Sequence, residues 1–123
     1  MANAAIETNR LIKIYKGALN PAVNNISFTI PRGKIFGLLG PNGAGKTTTL
    51  SMLYGLIKPS SGEASVLGYS LGTQLEEIKK IIGVVPQDIA LYPTLTAFEN
   101  LRYIGNMYGL KGTGLRKKIQ EHL

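Results

Sequence analysis

Gly40-Pro41-Asn42-Gly43-Ala44-Gly45-Lys46-Thr47-Thr48 reads G-x-x-x-x-G-K-[ST] without a mismatch, the phosphate-cradling P-loop pattern. A triphosphate carries several negative charges that must be met without bulk. Glycines at 40, 43 and 45 let the backbone curl tightly and take positive φ at low cost. A curled loop aims successive N–H groups inward as a nest for anionic oxygens, and the helix that follows adds its positive end. Lys46 would reach the β- and γ-phosphates, Thr47 would offer its hydroxyl to Mg²⁺, and Thr48 could contact the α-phosphate side. The pattern arises by accident in a chain of this size on the order of 1% of the time or less, given average glycine usage. Its surroundings make the accident rarer still. Lys34-Ile35-Phe36-Gly37-Leu38-Leu39 reads as a short buried strand. Leu50, Leu53, Tyr54 and Ile57 then form an i, i+3, i+4, i+7 stripe, with Pro59 as the stop.

Working outward, the amino-terminal side reads as β-structure. Leu11–Tyr15 is strand-like, Gly17 opens a turn through Asn20-Pro21, and Val23–Ile30 alternates as a half-buried strand with Ile26, Phe28 and Ile30 inward. Pro31-Arg32-Gly33 turns the chain. Lys58–Gly62 is expected to be a turn, and Glu63–Leu67 a short strand. The carboxy-terminal side becomes helical. Thr73-x-x-Glu76 is a capping box for a helix with Leu75, Ile78 and Ile82 inward, ended by Gly83. Val84-Val85 reads as a short strand before Pro86-Gln87. Thr96-x-x-Glu99 is a second capping box, whose helix carries Phe98, Leu101, Ile104 and Tyr108 and stops at Gly109. A last helix has Leu115, Ile119 and Leu123 on one face.

At 123 residues the chain has room for one small core and not for two domains. It has no cysteine and a single histidine, His122, which excludes disulfides, thiolate metal sites and a multi-histidine zinc site within one chain. No apolar run approaches the roughly 18 residues of a membrane span, and the amino terminus has no signal-peptide core, so a soluble, cytoplasmic chain is expected. The net charge of +7 gathers at Lys79-Lys80 and Arg116-Lys117-Lys118. Nucleic acid is not favoured as the partner, because no aromatics interleave with these clusters as a stacking platform would require. Solvated helix faces account for them.

Several separated motifs together resemble the ATP-binding subunit of ABC transporters, over nearly the whole chain. They are the Asn-Gly-Ala-Gly centre of the P-loop, Pro59-Ser-Ser-Gly62 followed by Gly68, Val84-Val85-Pro86-Gln87, and Leu91-Tyr-Pro-Thr-Leu-Thr-Ala-Phe-Glu-Asn-Leu101. The last, with Met107-Tyr108-Gly109-Leu110, is most similar to ABC-2 type exporters. The resemblance implies an α/β fold: a partial, RecA-like P-loop triphosphatase core at 34–87, an antiparallel β-rich region at 1–33, and the start of a helical subdomain at 88–123. ATP and Mg²⁺ are the implied ligands, with Gly40, Pro41, Asn42, Gly43, Ala44, Gly45, Lys46, Thr47 and Thr48 as the cradle.

Other roles come only from the resemblance. Tyr15, 25 positions before Gly40, stands where the family stacks an aromatic on adenine; on residue type alone it reads equally as a core strand tyrosine. Val23 stands where the family has an apolar contact to ribose or base, and otherwise reads as a plain strand valine. Gln87 corresponds to the glutamine that binds Mg²⁺ or positions the attacking water; otherwise it is a polar turn residue. Implied partners are a second ATP-binding subunit and a transmembrane permease, at the inner face of the cell membrane. The family's acidic Walker B strand and Leu-Ser-Gly-Gly-Gln loop have no counterpart, since the one aspartate, Asp88, directly follows Gln87. The chain is therefore expected to be the first half of an ATPase domain and inactive alone. A soluble ABC-family ATPase acting on ribosomes or DNA shares every motif present.

Overall fold

The structure, a computed structural model, describes residues 3–123. Its elements in chain order are β1 (Ala4–Lys13), β2 (Val23–Pro31), α1 (Lys46–Leu53), β3 (Ser61–Val66), β4 (Tyr69–Ser70), α2 (Leu75–Ile81), α3 (Ala97–Met107) and α4 (Gly112–His122). They divide into two compact units, residues up to Val84 and residues Val85–Leu123.

The first unit is an antiparallel sheet of order β2-β1-β3-β4 with α1 and α2. β1 begins seven residues before the strand read at Leu11 and leaves Ile14 and Tyr15 beyond its end. The polar run Glu7–Arg10 hid it. Thr8 nonetheless lies buried, because its hydroxyl bonds Phe28 of β2 twice, accepting from the amide at 2.9 Å and donating to the carbonyl at 3.4 Å. The pairing of β1 slips past Asn9–Arg10 on both sides, and Arg10 takes φ 48°. This bulge drives the Arg10 carbonyl toward β3, where a Cβ on Gly62 would collide with it. Gly62 is thus a strand residue rather than part of a turn. β3 and β4 are joined by Leu67-Gly68, both at positive φ, as a tight two-residue hairpin requires.

Two apolar clusters fill the unit. Leu11, Val23 and Met52 meet with Ile26, Ile57 and Ala64 around them. Val66, Leu71 and Ile78 form the other, with Ala64 shared. Truncating Met52, fully buried, costs about 2–5 kcal/mol by the usual cavity rule. Of the stripe read for α1, Leu53 is buried, Ile57 packs against the first cluster and Tyr54 is half-buried, whereas Leu50 is half exposed; Thr49 and Met52 are buried as well, and the helix ends at Leu53.

Three further expected elements differ. Lys34–Leu39 forms no strand, with Ile35 and Leu39 fully exposed, because no strand among the described residues lies beside it to take its hydrogen bonds. Val84-Val85 likewise stays irregular. α2 starts at Leu75 with Gln74 as its N-cap, so the Thr73–Glu76 box does not form; the Gln74 side-chain Oε1 instead accepts from the Ser70 amide at 3.0 Å. Ile78 is buried as expected. Lys79 and Lys80 pair with Glu76 and Glu77 at 3.0 and 3.2 Å on the exposed helix face, which neutralises that basic cluster locally.

In the second unit the Thr96–Glu99 capping box forms in full. The Thr96 amide and hydroxyl both donate to the Glu99 carboxylate, which holds its pKa below the usual glutamate value; the amide contributes most. α4 buries Leu115 and Ile119, with Leu115 against Gly105 of α3, whereas Leu123 is exposed.

Candidate functional site

The loop from Gly40 to Thr48 is held by features that leave its donors open. Gly43 and Gly45 take φ 84° and 90°. Gly45 is also closely backed: a Cβ there would collide with the Ala22 carbonyl and stand 3.2 Å from Val23 Cγ2. So Val23, expected near a ribose or base, is buried under the loop and sets the floor on which Gly45 turns. Gly40 is confined by Ala44, whose Cβ would lie 3.1 Å from an added one. The Ala44 amide donates to the Pro41 carbonyl at 3.1 Å, closing the turn at Asn42-Gly43.

Gly45 is the N-cap of α1 and provides no side chain to cap it. The first intrahelical bond runs from the Thr49 amide to the Gly45 carbonyl at 2.8 Å. The amides of Lys46, Thr47 and Thr48 therefore precede the helical ladder. No acidic residue lies in the first turn to answer the positive helix end. Thr47 is exposed there. A cavity of about 290 Å³ opens over this end, lined by Ala22 and by Asn42 to Thr48. Lys46 folds back over the loop, its ammonium donating to the Gly40 carbonyl and, at 3.0 Å, to the Pro41 carbonyl. The cation is thus stationed at the cavity, held by neutral acceptors that an anion outcompetes.

Tyr15 is not a core tyrosine. It lies past the end of β1, 43% exposed, with its hydroxyl 3.5 Å from the Thr48 hydroxyl. Sheet and helix thus bring together Tyr15, Val23 and the whole Gly40–Thr48 loop. Gln87 lies on an exposed bend within the second unit.

The sequence reading passed over one residue of the second unit. Asn100 is buried in α3, where its amide nitrogen donates to the carbonyls of Tyr92, Leu95 and Thr96 at 3.0–3.2 Å. Its oxygen accepts from the Tyr92 amide at 2.8 Å. The Tyr92 ring meets Tyr103 edge-on at 5.1 Å, and a hydrogen bond between the two raises the Tyr92 pKa. A helical asparagine with a Tyr-Pro turn eight residues before it was the available signal. Among the described residues no cluster of three or more acidic or histidine side chains could hold a metal, and no helix is long and apolar enough to cross a membrane.

A glycine-rich turn delivering a lysine to an uncapped helix, beside an α/β core, defines the class: a P-loop nucleoside triphosphatase fold. Comparison with known proteins narrows it. The family pattern described as "ABC transporter" matches residues 23–123. The linearmycin resistance ATP-binding protein LnrL of Bacillus subtilis is 54% identical over 82% of this chain and 32% of its own length. The probable multidrug ABC transporter ATP-binding protein YbhF of Escherichia coli is 45% identical over 80% of this chain and 17% of its own. A solved ATP-binding subunit of an ABC transporter superposes with TM-score 0.74 at 33% identity, over 87% of this chain and 44% of that one. The ATP-binding cassette MJ0796, solved as a dimer bound to ADP and phosphate, superposes with TM-score 0.77 at 29% identity, over 94% and 54%. The chain belongs to the ABC transporter family, within the ATP-binding domain. It spans about a third of LnrL and about half of the two solved cassettes.

Proposed function

We propose that this chain contributes the phosphate- and base-binding half of an ATP site that drives export through a transmembrane permease. The observation that carries the reading is the start of α1: three amides ahead of the helical ladder, no cap, no acid in the first turn, and Lys46 stationed over the cavity. In this reading the amides of Gly43 to Thr48 and the Lys46 ammonium hold the phosphates of ATP, and the Tyr15 ring takes the base. Val23 supports the loop from beneath. The Thr47 hydroxyl, exposed at the first turn, is a hard oxygen suited to Mg²⁺, which commonly completes its shell with phosphate oxygens and water. Gln87 supplies a neutral amide oxygen toward the same ion or the attacking water. Mg²⁺, when bound, would neutralise phosphate charge; the protein's share is to hold the phosphates at the start of α1.

The names of LnrL, a resistance protein, and YbhF, a probable multidrug transporter, support export. The dimeric MJ0796 supports pairing of two ATP-binding subunits. A permease partner would place the site at the inner face of the membrane. Because the only aspartate is Asp88 and no acidic pair follows an apolar strand, this stretch of chain by itself has no carboxylate placed to act as general base on the water. Hydrolysis by it alone is expected at background.

The test is equilibrium binding of ATP with Mg²⁺, with phosphate release read in the same tube. Lys46→Ala should weaken binding roughly 10–100-fold, the worth of a charge-assisted contact. Equal affinity in the two proteins would remove the P-loop from the site, and robust phosphate release by the unaltered chain would overturn its proposed dependence on residues outside it.

A further inference from the structure

Lys13 is given no task by the reading above, yet it contacts β2, the turn after α1 and the Tyr15 ring. It is the last residue of β1 and pairs with Val23, the floor of the P-loop. Its carbonyl accepts from the Ala22 amide at 2.8 Å. Its ammonium donates to the Lys58 carbonyl at 2.7 Å, in the turn after α1. The same ammonium lies 5.4 Å from the centroid of the Tyr15 ring, within cation–π range. The backbone between is fastened to that turn as well: the Ile14 amide donates to the Ser60 hydroxyl at 2.9 Å, and the Ser60 amide to the Ile12 carbonyl at 2.9 Å.

Tyr15 needs such help. Beyond β1 it has no ladder to hold it, and it is nearly half exposed. Its hydroxyl reaches Thr48 only at 3.5 Å. A ring in that setting samples several orientations, and each must be given up when a flat base stacks on it. An ammonium anchored elsewhere and resting against the ring removes that freedom beforehand. Ser60 fastens backbone only; Lys13 is the side chain that contacts the ring.

We infer that Lys13 is a positioning residue: its ammonium, tied to the Lys58 carbonyl, fixes the Tyr15 ring as a platform for the base of the bound nucleotide. The inference rests on the nucleotide-binding reading and adds a determinant of how the base, as distinct from the phosphates, is recognised.

The test compares ATP with inorganic tripolyphosphate, which has the same phosphates and no base, on the unaltered chain and on Lys13→Met. The variant keeps most of the stem and loses the charge. ATP affinity should fall about two- to five-fold, the worth of an exposed cation–π contact, while tripolyphosphate affinity stays put. Lys13→Arg, which can make both contacts, should restore ATP binding, and Lys13→Met in a Tyr15→Leu background should change nothing. If Lys13→Met does not fold, Lys13→Gln gives the same comparison with a donor kept for Lys58. Equal losses for both ligands would make Lys13 a structural tie only, and no loss for ATP would remove it from the site; either overturns the inference alone. An unaltered chain that binds both ligands equally overturns the Tyr15 platform itself. One that binds neither overturns the nucleotide-binding reading, and this inference with it.

Discussion

Gly45 does two jobs that only a residue without Cβ can combine. It turns the chain at φ 90° into α1, and it passes directly over the Ala22 carbonyl. Gly45→Ala meets both obstacles, left-handed backbone strain of about 1–2 kcal/mol and the collision. We expect a loss of about 2 kcal/mol or more in urea unfolding, together with loss of ATP binding. An unchanged midpoint would mean that the loop sits off Ala22 in solution. At this scale the P-loop was legible because each of its residue types answers one physical demand. The exposed place of Tyr15 beside Thr48 was suggested only by the family spacing, since residue type alone fits a core tyrosine as well. Asn100 had only the Tyr-Pro turn before it as a signal: a buried helical asparagine is unfavourable until its four hydrogen bonds are known, and those run to residues up to eight positions away.

Among the elements, local chemistry succeeded where it was complete in itself. The Thr96–Glu99 box needs only four consecutive residues and formed as expected. The Thr73–Glu76 box has the same spelling and did not form, because Gln74 is drawn back to the Ser70 amide and the helix starts one residue late. β1 was misjudged because a bulge and a buried, fully bonded threonine break the alternation that marks a strand. Glu99 carries a measurable consequence. Its carboxylate is held by the Thr96 amide first and hydroxyl second, so its pKa is lower in the folded chain than in the unfolded one. The stability this lends is complete above the ordinary glutamate pKa and is lost as pH falls through the lowered value. Protection of the first α3 amides from hydrogen exchange should therefore decline on acidification below the usual carboxylate range. Glu99→Gln should flatten that decline, and the same decline in the variant would assign it to another group.

For the whole molecule, the sequence pattern misleads where an element depends on neighbours. Lys34–Leu39 is apolar enough for a central strand, yet the sheet that forms is β2-β1-β3-β4 and leaves it outside. Ile35 and Leu39 are exposed at 105% and 92%, and in the other unit Val85 and Ile89 at 96% and 88%. Unpaired apolar backbone of this kind seeks a partner. The chain should associate in a concentration-dependent way in sedimentation velocity, and Ile35→Lys with Leu39→Lys should reduce it. A monomer at high concentration in both forms would mean that these side chains are covered in solution.

Phe36 lies in the middle of that unpaired stretch, and its ring stacks on Phe28 of β2 at 5.8 Å between centroids and 10° between planes. Exposure alternates around it: Ile35 and Leu39 outward, Leu38 half covered. One aromatic peg has thus already chosen which face of Lys34–Leu39 is which. A one-residue slip in strand pairing turns every side chain over, so it is the most damaging error an added strand can make. With Phe36 seated on Phe28, a strand pairing with this segment would meet its side chains in one phase, which disfavours the slipped register.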